Sequence, residues 1–187
     1  MELMEGLLTR RTIHLFRADP VPDSVIEKML EAAVQAPNHH MTQPWRFVVL
    51  QGESLRALAQ ARYRAAWQKA VDQQREFAER LASRARQDYL AVSAVIAVVQ
   101  LLEGNASRQE EDYAAVSCAA YAMMLAAWNF GVGTHWATGG LTRSAEAREL
   151  CQVTGQERLA AFIRLGYPQS VPQVPRVPAA QRTLWLG

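Results

Sequence analysis

Cysteine is nearly missing from this chain: Cys118 and Cys151 are the two among 187 residues. Two cysteines build no disulfide framework, and their scarcity suits a reducing compartment, so a cytoplasmic protein is expected. Excess charge is equally scarce. Twenty basic and eighteen acidic residues leave a net +2, too little for whole-chain attraction to nucleic acid or to an anionic membrane. The opening residues carry Glu2 and Glu5 before any base and no apolar core, which does not read as a secretory signal. A long uninterrupted apolar run is also lacking. The nearest approach, Tyr113 to Gly131, is broken by Ser117, Asn129 and two tyrosines. It reads as a buried helix beginning near 112, with acids 110–112 at its start and Gly131 and Gly133 at its end, and not as a membrane span.

Catalytic signatures are absent too. No Walker loop, H-E-x-x-H, paired C-x-x-C or G-x-S-x-G occurs. Gly131-Val132-Gly133 lacks the last glycine of a dinucleotide fingerprint, because Trp136 stands there, and it follows a helical stretch. His14, His39, His40 and His135 have no metal-ligand spacing, so no metal centre is expected. Cys118 sits in an apolar stretch and reads as core.

What is present is ordinary globular composition, half hydrophobic and a fifth charged, long enough for one domain over 1–187. The pattern gives a short helix at 2–12, an extended link through Pro20 and Pro22, and a helix at 24–35 capped by Asp23 or Ser24. A strand is expected at 46–50, one or two helices over 53–88, and a buried strand at 91–101. The long helix follows at 112–130, then a Gly-rich loop at 132–141, a helix at 144–152 and a strand at 159–165. A tail with four prolines between 168 and 181 reads as an extended arm. Helices and strands mix without a βαβ rhythm, which predicts α+β around a mixed or antiparallel sheet. In the 53–88 excursion, Trp67, Val71, Gln74, Ala78, Leu81 and Ala85 form a stripe at helical spacing. Residues 56–86 hold eight bases and three acids, either a solvated face or a lid that attracts an anionic dinucleotide.

Three stretches can carry chemistry. Arg10-Arg11-Thr12 offers two guanidinium forks and a hydroxyl, a phosphate clamp or plain solvated surface. The turn from Ala36 to Trp45 carries Asn38, His39, Thr42 and Gln43, groups suited to a heteroaromatic ring and a polyol, or to satisfying the turn itself. Residues 133–140 contain glycines that let backbone N–H groups approach a ligand, or that merely connect two helices.

In order and spacing, R-R-T at 10–12, P-V-P-D-x-V-I-E-x-x-L-E-A-A-x-x-A-P at 20–37, Q-P-W-R-F-V-V at 43–49 and G-V-G-T-H-W-A-T-G-G-L at 131–141 together resemble the FMN-dependent nitroreductase family. The likeness is to its short, YdjA-like bacterial subgroup and runs over nearly the whole chain. It implies an α+β fold with a central, mostly antiparallel sheet flanked by helices. It also implies an intertwined homodimer with FMN at the interface, the long helix in the dimer core and the tail (168–187) embracing the partner. By the same resemblance Arg10, Arg11 and Thr12 clamp the phosphate and ribityl chain, with Thr12 where the family usually has Ser. Gln35 and His39 reach FMN from the opposite subunit; relatives often carry Arg at the first of these, so Gln35 keeps donors without the charge. Gln43 supports the flavin edge, and Trp136, Ala137, Thr138 and Gly139 lie along the ring. Arg176 and Arg182 stand where longer relatives have a C-terminal phosphate motif. The implied activity is ping-pong hydride transfer from NAD(P)H to flavin N5 and on to an electron-poor small-molecule acceptor such as a nitroaromatic or quinone. The flavin carries the chemistry, so no protein nucleophile is needed. Two other readings share the scaffold: a non-catalytic flavin-binding redox sensor or flavin-handling protein, and a specialised flavin oxidase or dehydrogenase.

Overall fold

A computed structural model describes residues 2–187. Its centre is β2 (Ala94–Leu101), where every residue from Ala94 to Gln100 is buried. A strand rich in Val, Ile and Ala with no exposed face must be covered on both sides, and here it is. Ala94, Ile96 and Val98 belong to one core with α2 (Asp23–Ala33) and α5 (Ala106–Asn129). Val95, Ala97 and Val99 belong to the other, with α3 (Gly52–Asp72) and α7 (Ala145–Leu150). Each such Val or Ile contributes about 1.5–3 kcal/mol by leaving water.

Around β2 the sheet runs β1-β2-β4-β3, with β1 at Trp45–Leu50, β3 at Gly133–Ala137 and β4 at Glu157–Gly166. All three pairings are antiparallel, as the α+β expectation required. A register shift between Val98 and Val99 lets β4 carry an extra residue opposite β2. The remaining helices are α1 (Leu3–Thr9), α4 (Ala78–Leu90) and α6 (Gly140–Arg143). The 53–88 excursion is two helices, α3 and α4, packed on one another across a turn in which Gln74 and Phe77 take positive φ.

Several expectations need correction. The helix start at α2 is not capped by Asp23 or Ser24: Pro22 holds the cap position, and Asp23 is already helical. The helix also ends at Ala33, short of Gln35. The long helix begins at Ala106, capped by the Asn105 side chain, so acids 110–112 lie in its second turn. The Asn cap stands eight residues before the apolar run, and the intervening turns are polar, so periodicity does not extend to it. β2 starts at Ala94, not 91, because Ala91–Ser93 turn the chain out of α4. The stripe of Trp67, Val71 and Leu81 is over 40% exposed at each residue. The buried contacts of the excursion come from Leu55, Leu58, Ala61, Ala82, Ala85 and Tyr89. Cys118 is exposed; Cys151 is the buried cysteine. Most consequentially, the Gly-rich loop at 132–141 is largely a strand, β3, at the end of the sheet.

Candidate active site

β3 is flanked by β4 on one side only. Beside its start the chain from α1 runs alongside it: Thr12 bridges Thr134 in parallel, and the Ile13 N–H donates to the Thr134 carbonyl at 2.9 Å. This approach depends on Gly133. A Cβ there would lie 2.5 Å from Ile13 Cγ1 and 2.9 Å from Pro168 Cγ, closer than any side chain tolerates. A sequence with glycine at 133 therefore brings the Arg10–Thr12 segment onto the strand that carries Trp136 and Ala137.

Arg10 follows the last turn of α1 with its guanidinium 5.7 Å over the Tyr121 ring. Its Nε and one terminal nitrogen are buried without a partner. Arg11 is more committed. One of its terminal nitrogens donates to the Leu8 and Arg10 carbonyls at 2.8 and 2.9 Å, while its Nε is buried and unpaired. Unmade hydrogen bonds on buried cationic nitrogens are costly, and both arginines retain donors for an anion.

A cavity of about 650 Å³ opens between β3 and the α3–α4 excursion. Trp136, Ala137, Thr138 and Gly139 form one wall. Gly139 takes φ +102°, which only glycine adopts readily, and this turns the backbone from β3 into α6. Arg62, Lys69 and Arg75 line the cavity from α3 and the turn after it. Three of the eight bases of 56–86 thus border a cavity, while the other five do not line it, in keeping with the solvated face that the sequence favoured. His135 and Arg164, register partners on β3 and β4, line the cavity as well. Burial, then the neighbouring Arg164 charge and His14, hold the His135 pKa down at about 4, so its ring is neutral at pH 7. Sequence reading missed both. The one signal was Arg164 itself, a lone charge inside the apolar strand 159–165.

The remaining expected residues stand elsewhere. Gln35, His39 and Gln43 are exposed and do not line the cavity of their own chain. Gln35 follows the end of α2, and His39 and Gln43 share a tight turn in which His40, Met41 and Gln43 take positive φ, each at a cost of order 1 kcal/mol. Side chains hold it. Asn38 Oδ1 accepts from the Gln43 N–H at 2.9 Å, Thr42 Oγ1 donates to the buried Asp112 at 2.7 Å, and His39 Nδ1 meets Glu111 at 2.9 Å. The turn is therefore built, but it presents its polar groups outward. Arg176 and Arg182 are exposed in the tail. Among the described residues no group of His, Cys, Asp and Glu is placed to hold a metal ion, and no helix is long and apolar enough to cross a membrane.

The sequence model described as "Nitroreductase family" matches residues 7–167. The Bacillus subtilis (strain 168) protein named "Putative NAD(P)H nitroreductase YfhC" is 32% identical over 174 residues, covering 93% of this chain and 88% of that one. "Putative NAD(P)H nitroreductase YdjA" of Escherichia coli (strain K12) is 31% identical over 171 residues, covering 90% of each. Among solved structures, a nitroreductase-like family protein from Bacillus cereus superposes with a TM-score of 0.84 at 23% identity, covering 100% of this chain and 96% of that one. A protein from Desulfovibrio desulfuricans described as a "putative nitroreductase in complex with fmn" gives 0.78 at 20% identity, covering 100% of this chain and 98% of that one. At these identities the two structures establish the shared fold.

Proposed function

The chain belongs to the nitroreductase family, and from that premise we propose that it is an NAD(P)H-dependent FMN oxidoreductase acting on electron-poor small molecules. One observation carries the reading: β3 joins a wall of the 650 Å³ cavity, Trp136–Gly139, to the Arg10–Thr12 segment through the Thr12–Thr134 bridge. A flat ring system and an anionic tail need those two features side by side.

The residues present fit FMN. Arg10 has two buried nitrogens without partners and Arg11 has one, donors that a phosphate dianion satisfies with charge-assisted bonds. Thr12 adds a hydroxyl. The backbone of Trp136–Gly139 offers N–H groups and a glycine turn beside the ring site. Bound there, FMN would supply hydride chemistry between NAD(P)H and a nitroaromatic or quinone. The protein's own part is electrostatic and steric. Arg62, Lys69 and Arg75 draw the anionic dinucleotide towards the cavity. Tyr89, Leu81 and Trp136 give it apolar surface and exclude water.

Gln35, exposed just after α2, and His39, exposed in the strained turn, act on the FMN of a second subunit in this reading, and Gln43 supports the flavin edge from the same turn. The described surface supports a homodimer. Ala114, Cys118 and Tyr121 leave an exposed stripe along α5, and Leu184, Trp185 and Leu186 are 80–89% exposed in the tail. The tail is the arm that covers the partner, and the α3–α4 excursion is the substrate lid. The deciding experiment is an anaerobic visible spectrum of the purified protein. A yellow protein bleached by NADPH or NADH and recoloured by a nitroaromatic is expected. A colourless protein that takes up no added FMN refutes the reading, and a flavoprotein with no turnover on any acceptor is a sensor instead.

A further inference from the structure

Arg164 is 6% exposed on an otherwise apolar strand. A buried guanidinium is expensive unless a carboxylate and hydrogen bonds compensate it. Compensation here is partial. One terminal nitrogen donates to the Asp88 backbone carbonyl at 2.8 Å, capping the end of α4, and the group lies 5.3 Å from the centre of the Tyr89 ring. Its Nε is buried with no partner. Among the described residues no carboxylate lies within ion-pair distance of it; Asp88 bonds to it through its main chain while its charge attracts the guanidinium from further off, and Arg62 nearby adds repulsion. Opposite it, His135 has a buried Nδ1 with no partner. Both side chains line the cavity. Leu81, Ala85, Tyr89 and Trp136 give the cavity apolar and aromatic wall, and Asp88 is the one carboxylate among its lining residues.

A cationic fork at the base of an aromatic-walled cavity is half of a recognition site whose other half is an anion on a flat apolar body. We propose that Arg164, with His135 beside it, is an oxyanion-binding subsite, and that the acceptor reduced in this cavity is an aromatic compound carrying a carboxylate. The proposal rests on the cavity being the reaction site. A carboxylate fits better than a phosphate because one planar fork and one neutral imidazole match a planar monoanion. The mouth residues Arg62, Lys69 and Arg75 are the ones placed for phosphates.

The test is calorimetric titration of the FMN-loaded, full-length protein with benzoate, benzamide and inorganic phosphate, after its visible spectrum is recorded. Benzoate binds, and benzamide, its neutral counterpart, binds about tenfold or more weakly. Arg164→Met loses benzoate by a similar factor, while Arg164→Lys retains part of it. Arg164→Met also melts no lower than the parent, because an uncompensated buried charge has been removed; a purely structural arginine predicts a lower melting temperature. Should Arg164→Met fail to fold, Arg164→Gln keeps a donor for the Asp88 carbonyl and carries the same comparison. Equal binding of benzoate and benzamide, unchanged benzoate affinity in the variants, or tighter binding of phosphate through Arg164 overturns the proposal. So does benzoate that binds only the flavin-free chain, since Arg164 would then face the cofactor. A colourless protein that still binds benzoate through Arg164 sinks the flavin reading and the acceptor with it, leaving only the anion site, whereas a yellow one indifferent to benzoate sinks the anion site alone.

Discussion

Arg46 on β1 and Glu157 at the head of β4 join across the intervening β2 by two parallel bonds, Nε to Oε1 at 2.8 Å and a terminal nitrogen to Oε2 at 2.9 Å. The guanidinium beside it, aided by the Thr154 N–H, holds the Glu157 carboxyl at about 2, below its ordinary 4.5. A carboxylate whose pKa falls on folding stabilises the native state fully above the unfolded value and loses that contribution as pH drops through the folded one. Stability should therefore decline from about pH 4.5 towards 2. Glu157→Gln should cost about 1–3 kcal/mol at neutral pH, with Arg46 a third exposed and the pair discounted accordingly. It should also flatten that acid limb. Urea midpoints of both proteins from pH 2 to 7 check this; parallel curves would remove the pair from the account.

Arg10→Ala should weaken FMN retention by roughly 1.5–3 kcal/mol, or about ten- to a hundredfold, because its unpaired buried nitrogens are donors to the phosphate. Arg11→Ala should cost less, since one of its terminal nitrogens already serves the Leu8 and Arg10 carbonyls. Equilibrium dialysis of FMN measures both. Equal losses would contradict the ranking.

Gly133→Ala should push Ile13 and Pro168 away from β3. Overpacking of this kind costs about 1–3 kcal/mol, and here it also moves Arg10–Thr12 relative to Trp136–Gly139. Lower thermal stability together with weaker FMN binding is expected. Unchanged FMN affinity would mean that the clamp is independent of this contact.

Cys118 reports on assembly. It is exposed on α5 of the single chain, whereas burial raises the Cys151 thiol to about 11 and keeps it unreactive. In a homodimer packed through α5, neither thiol should react quickly with an aromatic disulfide reagent until dissociation frees one. One fast equivalent from the assembled protein would place the dimer contact elsewhere or deny it.

Lys69→Glu should raise KM for NAD(P)H by about three- to tenfold with little change in kcat, and the difference should shrink at high salt. Lys69 lines the cavity with Arg62 and Arg75, so reversing it removes attraction without touching Arg10. Steady-state kinetics at two ionic strengths decide the matter. An effect on kcat alone would assign Lys69 a different role.

How much was legible in the sequence depended on whether the information was local. β2 was readable because an unbroken run of Val, Ile and Ala can only be a strand covered on both faces, and α2 because Ile26, Met29 and Ala33 repeat at helical spacing. The R-R-T, Q-P-W and G-T-H-W-A-T-G-G stretches carried the family because their order along the chain is itself the signal. Residues 133–137 misled. Glycines at 131, 133, 139 and 140 around them suggest a loop, and only hydrogen bonds to β4, further along the chain, make them a strand.

The amino-acid sequence alone determined the α+β class, the family, and the lack of metal-binding and hydrolase motifs. Tertiary structure alone decided that Thr12 lies on Thr134, that the basic excursion borders a cavity, and that His135 faces Arg164 across two strands. The reason is that helical and strand periodicity act over neighbouring residues. A buried charge and the space in front of it arise from segments brought together by packing, and no window of sequence contains both.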